Sequence, residues 1–447
     1  MLRNLETELQ TWLINKNPKP ILLRGARQVG KTYLVEIFAK KHFKHFLKIN
    51  FEKEKTYHKL FDKDLNMKEI LQKIAISKGI EFSIENTLVF FDEIQECPQA
   101  ITSLRYIYED LPGLHCIAAG SFLEIVLNEK SISMPVGRIQ YLYLHPISFH
   151  EYLIAINKSS LVDYIKNFDF ENHDDFFHEI LLKELQQYLF LGGMPKVLES
   201  YLKTNNLQEA INEQNLIIDT FRDDFRKYGS KAEYKYIEKV FDNLPKLNSH
   251  SVKYSQIDSE AQSRELKNAL EILVQAKIYT QVFKTSGASL PLKFNASHKH
   301  FKTVCLDIGL MNNLLAINNQ ILLSDNALNL ASGAIAEDFV GQELIAYTKA
   351  NQKPELYYWS RDGRNISAEV DYLIGLGSKV FGLEVKAGLN ARLNSLYSFM
   401  KEYQHEHGIC ISPAKPLFKK GIFYIPIYAV SEIERLVSTT NTNDKLH

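Results

Sequence analysis

The sequence predicts an α/β protein: a P-loop NTPase parallel sheet with a helical lid, a winged-helix-like middle segment and a second α/β unit. Three observations predict it. Between residues 20 and 145, short apolar runs alternate with helix-like stretches. The first run feeds directly into Gly25-Ala-Arg-Gln-Val-Gly30-Lys31-Thr32. Far downstream, AEVDYLIGLGSKVFGLEVKAG at 368–388 sets two strand-like runs around a Gly-Ser turn.

The elements follow in chain order. Residues 1–18 read as a helix stopped by Pro18 and Pro20. PILLRG (20–25), HFLKINFE (45–52), TLVFFDE (87–93), HCIAAGS (115–121) and IQYLYLH (139–145) are continuous apolar runs. Such runs suit strands buried on both faces of a parallel sheet. They place an ATPase domain at 1–150. Residues 151–235 read as a helical lid, in which FHEILLKELQQYLFLGG stops at Gly192-Gly193. In the segment 236–330, Leu266, Ala269, Leu270, Leu273 and Val274 line one helix face. IYTQVFKT and LPLKFNA then read as strands joined at SGAS. Helix followed by hairpin is the outline of a winged helix. The last segment, 331–447, begins near Ala331 with the helix IAEDFVGQELIAYT and the strand ELYYWS.

Composition narrows the class. With 45% hydrophobic and 24% charged residues, the 447-residue chain can bury large cores. Formal net charge is zero, so no overall field draws the chain to nucleic acid or a membrane. Residues 151–185 hold eight acidic and three basic side chains; residues 246–303 hold nine basic and four acidic. Both read first as solvated surface, and the basic stretch also suits a nucleic-acid footprint. Cys97, Cys116, Cys305 and Cys410 lie far apart with no C-x-x-C pair, as reduced cytosolic thiols do. The histidine pairs His42/His45 and His298/His300 lack a partner pair at metal spacing. No apolar run approaches the ~18 residues of a membrane span, and MLRNLETELQ has no signal-peptide core. A soluble, cytoplasmic protein with no membrane partner is expected.

GARQVGKT carries the sharpest chemistry. Its glycines let backbone N–H groups turn inward around phosphates, and the helix that follows offers its positive end. Lys31 would reach the β- and γ-phosphates of ATP, and Thr32 would ligate Mg²⁺. Gly25, Gln28, Val29, Gly30 and Tyr33 complete the expected cofactor-binding set. Asp92, ending the run LVFFDE, would hold the metal through water, and Glu93 would polarise the attacking water. Ser121, ending the next run, suits either a contact to the γ-phosphate or its water, or a helix-capping turn. Arg138 suits either an arginine finger in a neighbouring copy's site, which implies a homo-oligomer, or a surface arginine.

These residues carry a likeness. GARQVGKT, FFDEIQ, AAGS, the Gly137-Arg138 pair and HPISFHEYL together resemble the AAA-type ATP-binding proteins of bacteria and archaea. LGGMPKVL, CLDIGLMNNLL, EDFVGQEL, YYWS, AEVDYLI and LEVKAG extend the resemblance over nearly the whole chain. It implies an ATPase domain, a winged-helix-like segment and a C-terminal α/β domain resembling restriction endonucleases of the PD-(D/E)xK type. It also implies Mg-ATP hydrolysis by Lys31, Thr32, Asp92 and Glu93.

The 368–388 stretch gains a register from its turn. Gly377-Ser378 as a two-residue turn pairs Leu376 with Lys379 and sets Asp371 opposite Glu384 and Glu369 opposite Lys386. Val370/Val385, Tyr372/Leu383 and Ile374/Phe381 then share the other, apolar face. Opposed carboxylates need a cation, and either a divalent metal or nearby lysines would serve. Asp371 and Glu384 as metal ligands with Lys386 beside them suit phosphodiester cleavage. The resemblance adds Glu337 as a third ligand; Glu343 lies on the same helix. The expected function is an ATPase that couples turnover to DNA engagement, with metal-dependent cleavage. The alternative is a non-cleaving nucleotide switch that binds a partner.

Overall fold

The five apolar runs become five strands: β1 (Ile21–Arg24), β2 (His45–Asn50), β3 (Thr87–Asp92), β4 (His115–Ala119) and β5 (Gln140–Tyr143). A computed structural model describes residues 3–62, 65–121, 123–129, 134–226, 231–247, 249–324, 333–361, 368–388 and 392–443. The strands are all parallel, in the order β2-β3-β4-β1-β5. Every residue of β3 and β4 is buried, because helices cover both faces. Alternation sends Leu22, Leu47, Ile49, Val89 and Phe91 into one core and Ile21, Leu23, Leu88, Phe90 and Ile117 into the other. The strand β1 lies inside the sheet, so its connection to β2 crosses β4 and β3. That leaves a crevice at the carboxyl ends of the strands.

Residues 149–225 form successive helices, from Phe149–Ala155 to Leu207–Phe225. The first is fixed by a capping box in which Ser148 and Glu151 satisfy each other's backbone N–H groups. The helix Asp175–Leu191 stops at Gly192, whose φ is 72°. A Cβ there would fall 2.2 Å from Asp307 Oδ1, so only glycine lets the two segments close together.

The middle segment departs from expectation. Its helix forms at Ser263–Gln275 with Leu266, Ala269, Leu270 and Leu273 buried. The second hairpin strand is not LPLKFNA. Pro291 lacks the N–H that a ladder needs, and Leu292–Asn295 coils into a 3₁₀ turn. The hairpin consists of β6 (Tyr279–Lys284) and β7 (Ser297–Cys305). Nor is it a free-standing wing. The strand β6 pairs in parallel with β8 (Leu356–Arg361), Val282 opposite Leu356. With β9 (Ala368–Leu376), β10 (Lys379–Val385), β11 (Gly408–Ser412), β12 (Leu417–Lys419) and β13 (Ile422–Pro426) it makes one sheet. The order is β12-β13-β11-β10-β9-β8-β6-β7. A single apolar cluster runs from Ile147 to Val437 through lid, middle segment and C-terminal sheet. The divisions expected at 235 and 330 therefore do not separate cores. The second of them lies outside the described residues.

The register set by Gly377-Ser378 forms as expected, with Leu376 opposite Lys379 and Tyr372 opposite Leu383. The two-faced pattern does not. Against β8, Tyr357 pairs with Leu373 but Trp359 pairs with Val370. That extra residue in β9 is a bulge, and it reverses the side-chain alternation beyond it. Val370 thus joins Leu373 and Val380 in a separate cluster instead of packing beside Tyr372.

Candidate functional site

The phosphate loop leaves β1 at Gly25 and enters the helix Lys31–His42. It runs so close to the end of β5 that a Cβ on Gly25 would lie 2.2 Å from Leu144 O. Gln28 (φ 66°) and Gly30 (φ 95°) adopt left-handed backbone, which turns the loop back on itself. Arg3, before the first helix, donates to Val29 O (3.0 Å) and pairs with Glu151 (3.2 Å). Arg27 pairs with Asp224 of the lid. The loop is thus tied to the chain's start and to the lid helices.

Lys31 is buried and donates to Gly25 O (2.9 Å), Ala26 O (2.8 Å) and Ser121 Oγ (3.2 Å). Burial pulls its pKa down to about 8, against the opposing pull of Glu93, Asp92 and Glu124. Thr32 Oγ1 donates to Asp92 Oδ1 at 3.1 Å. Asp92 also accepts from Asn50 Nδ2 (3.2 Å) and pairs with Lys48 (3.4 Å). Glu93 sits in left-handed backbone (φ 51°) and accepts from Gln95 Nε2 at 2.7 Å. Gln95 is 5% exposed, and its Oε1 is buried with no hydrogen-bond partner. That oxygen would stand 2.2 Å from a Cβ on Gly120, so glycine at 120 makes room for it.

The structure brings together the loop residues Gly25 to Thr32 with Asp92, Glu93 and Ser121. Tyr33 stands beside them, 57% exposed. Arg138 does not join them. It precedes β5, whose first residue pairs with the first residue of β1, and so lies at the sheet's amino edge, opposite the loop. There it donates to Glu109 at 3.0 Å on the surface. Arg3, Lys48, Asn50, Gln95 and Asp224 support the site and had not been singled out. Only the Gln of FFDEIQ had a local signal, its place two residues past Glu93.

The C-terminal acidic face has its own cation. Lys302 of β7, buried, lies 2.8 Å from Glu337, 2.6 Å from Glu369 and 3.8 Å from Asp371. Burial works against its charge, but Glu337, Asp371 and Glu369 together raise its pKa. Lys386 pairs with Glu384 at 2.6 Å. Burial, Glu337 and Glu384 push Asp371 well above the usual carboxylate range, and its Oδ2 accepts from the Val385 N–H (2.7 Å). Among the described residues, no group of three His, Cys, Asp or Glu side chains is placed to hold a metal ion. Of the expected ligands Glu337, Asp371 and Glu384, the first two stand beside Lys302, a lysine from another strand, and the third pairs with Lys386.

The helix Ala334–Ala346 links this face to the lid helices. Glu337 meets Lys302, and Asp338 accepts from the Cys305 N–H (2.9 Å). Gln342 accepts from the Ile308 N–H and donates to Tyr188 Oη, both at 2.8 Å. Glu343 accepts from the Phe149 N–H (3.1 Å), and burial raises its pKa to about 8.

Residues 17–153 match the family described as an AAA domain. Residues 182–321 and 332–430 match two domains of unknown function, DUF8612 and DUF4143. The N-terminal unit is thus an AAA-type P-loop ATPase domain, and the loop Gly25–Thr32 lies within it. No curated protein matches the chain. Among solved structures, the Walker-type ATPase PABY2304 of Pyrococcus abyssi is 16% identical, over 70% of this chain and 96% of that one, with a TM-score of 0.43. The Aeropyrum pernix ORC2 protein is 11% identical, over 72% and 96%, at 0.35. The Thermotoga maritima RuvB Holliday junction branch migration motor is 15% identical, over 62% and 89%, at 0.30. The class rests on the domain match, the strand order and the loop. No helix among the described residues is long and apolar enough to cross a membrane.

Proposed function

We propose that the protein hydrolyses Mg-ATP and uses turnover to control engagement of nucleic acid by its C-terminal sheet. One observation carries the hydrolytic half: Lys31, Thr32, Asp92 and Glu93 converge at the carboxyl edge of β1, β3 and β4. Lys31 presently donates to two loop carbonyls, and phosphate oxygens would replace them. A hydroxyl and a carboxylate 3.1 Å apart are a donor pair that suits Mg²⁺, which takes few protein ligands and keeps its waters. Bound there, the metal supplies positive charge to the β- and γ-phosphate oxygens. Glu93, held by Gln95, takes the proton of the attacking water. Replacing Glu93 with glutamine should leave ATP binding intact and lower kcat by roughly a hundredfold or more. Hydrolysis equal to wild type would overturn the assignment of the base.

The C-terminal unit supports the non-cleaving alternative, because Lys302 occupies its acidic face. Incubation of the protein with plasmid and Mg²⁺ or Mn²⁺ should give no nicking. Nicking that depends on the metal and is lost in Asp371→Ala would reverse that reading.

A further inference from the structure

Residues 272–306 contain five lysines and no aspartate or glutamate. They fold as the end of one helix and the β6–β7 hairpin, and β7 is the outermost strand of its sheet. Its His298, Lys299 and His300 are exposed in a row. Between this hairpin and the ATPase sheet lies a cavity of about 750 Å³. That volume falls in the range of built ligand sites. Lys277, Lys293, Phe294, His298 and Lys353 are among the residues that line it. Phe294 is 76% exposed, an aromatic side chain left largely to water. Two glutamates also line the cavity, and both are engaged. Glu124 pairs with Lys277 (3.2 Å) and Arg24 (3.5 Å), and Glu355 accepts from Tyr357 Oη (2.9 Å).

We propose that this cleft holds a single strand of nucleic acid, with a base against Phe294 and phosphates on Lys293 and Lys353. An exposed aromatic ring among lysines is the chemistry of single-strand binding: every base has a stacking face, and every phosphate a charge. A duplex keeps its base faces stacked inside and has none to offer Phe294. Gly25 and Ala26 also line the cleft. Their carbonyls are the ones that accept from Lys31, so a strand in the cleft lies against the backbone that holds the phosphate-binding lysine. The proposal rests on the nucleic-acid reading above and gives it a surface, one the acidic face does not share.

The test is a fluorescence-anisotropy titration of the full chain with a fluorescein-labelled oligothymidylate, without nucleotide, at low and high salt. Binding should weaken with salt, and Phe294→Ala should weaken it by roughly tenfold. Lys293→Glu combined with Lys353→Glu should weaken it further and flatten the salt dependence. All three positions are exposed, and circular dichroism matching wild type shows that the variants fold. The proposal is overturned by no binding, by variants that bind like wild type, by tighter binding of a duplex of equal length, or by thymidine monophosphate competing as well as the oligomer. The titration needs no turnover. Tighter binding of a duplex, or variants that bind like wild type, sinks the cleft alone; failure of the unaltered chain to bind either form sinks the nucleic-acid reading with it; and loss of hydrolysis with binding intact sinks the catalytic assignment alone.

Discussion

At the scale of single residues, Gln95 shows how little of the proposed catalytic site is named by its motif. Its Nε2 holds Glu93 and its Oε1 is buried without a partner, so removing it frees the Glu93 carboxylate and leaves a gap beside Gly120. Gln95→Ala should lower kcat by roughly tenfold with KM little changed, because the residue touches the base and not the phosphate loop. An equal loss in ATP affinity would contradict this. Glu343 tests the other end of the chain's polar spine. Its folded pKa of about 8 lies above the ordinary 4.5, so the native state binds the proton more tightly than the unfolded chain does. Its contribution to stability is complete below pH ~4.5 and is lost as pH rises through about 8. Glu343→Gln, which keeps an acceptor for the Phe149 N–H without the charge, should raise the melting temperature at pH 8 and leave it unchanged at pH 5. A variant that melts lower at both pH values would show that the charge is needed.

At the scale of elements, the bulge in β9 and the edge position of β7 decide what the acidic face is. Opposed carboxylates call for a cation, and the hairpin supplies Lys302. Because that lysine is buried among three carboxylates, Lys302→Met should destabilise the protein by about 3–5 kcal/mol. Adding Glu337→Gln, Glu369→Gln and Asp371→Asn should recover part of the loss, since the cost lies in charges left without a counter-ion. Urea denaturation of the single and quadruple variants reads both. If Lys302→Met were as stable as wild type, the cluster would have to be open to water or to another cation. The same elements show where reading the sequence failed. Alternation placed Val370 beside Tyr372, but pairing with β8 inserted a residue, and no local pattern reveals the count on a partner strand.

At the scale of the whole molecule, the apolar cluster from Ile147 to Val437 makes the lid, the middle segment and the C-terminal sheet one folding unit. A fragment cut at 236 would leave the faces of β6, β7 and the helix Ala334–Ala346 without the lid helices they pack on. The isolated 236–447 fragment should therefore lack fixed near-ultraviolet circular dichroism, whereas a 146–447 fragment should retain it. A well-packed 236–447 fragment would mean that the lid is dispensable. The sequence by itself determined the parallel sheet, the phosphate loop with Asp92 and Glu93, and the register of the Gly377-Ser378 hairpin. Each of these is written in adjacent residues: a run buried on both faces, a glycine spacing, a two-residue turn. Only the tertiary structure decided that the expected wing is part of the C-terminal sheet, that Arg138 pairs with Glu109 at the sheet's amino edge, and that Lys302 sits among the carboxylates of the acidic face. Those outcomes depend on which strands pair across long stretches of chain. Pairing of that kind is set by the packing of whole faces, and it leaves no mark on the few residues it brings together.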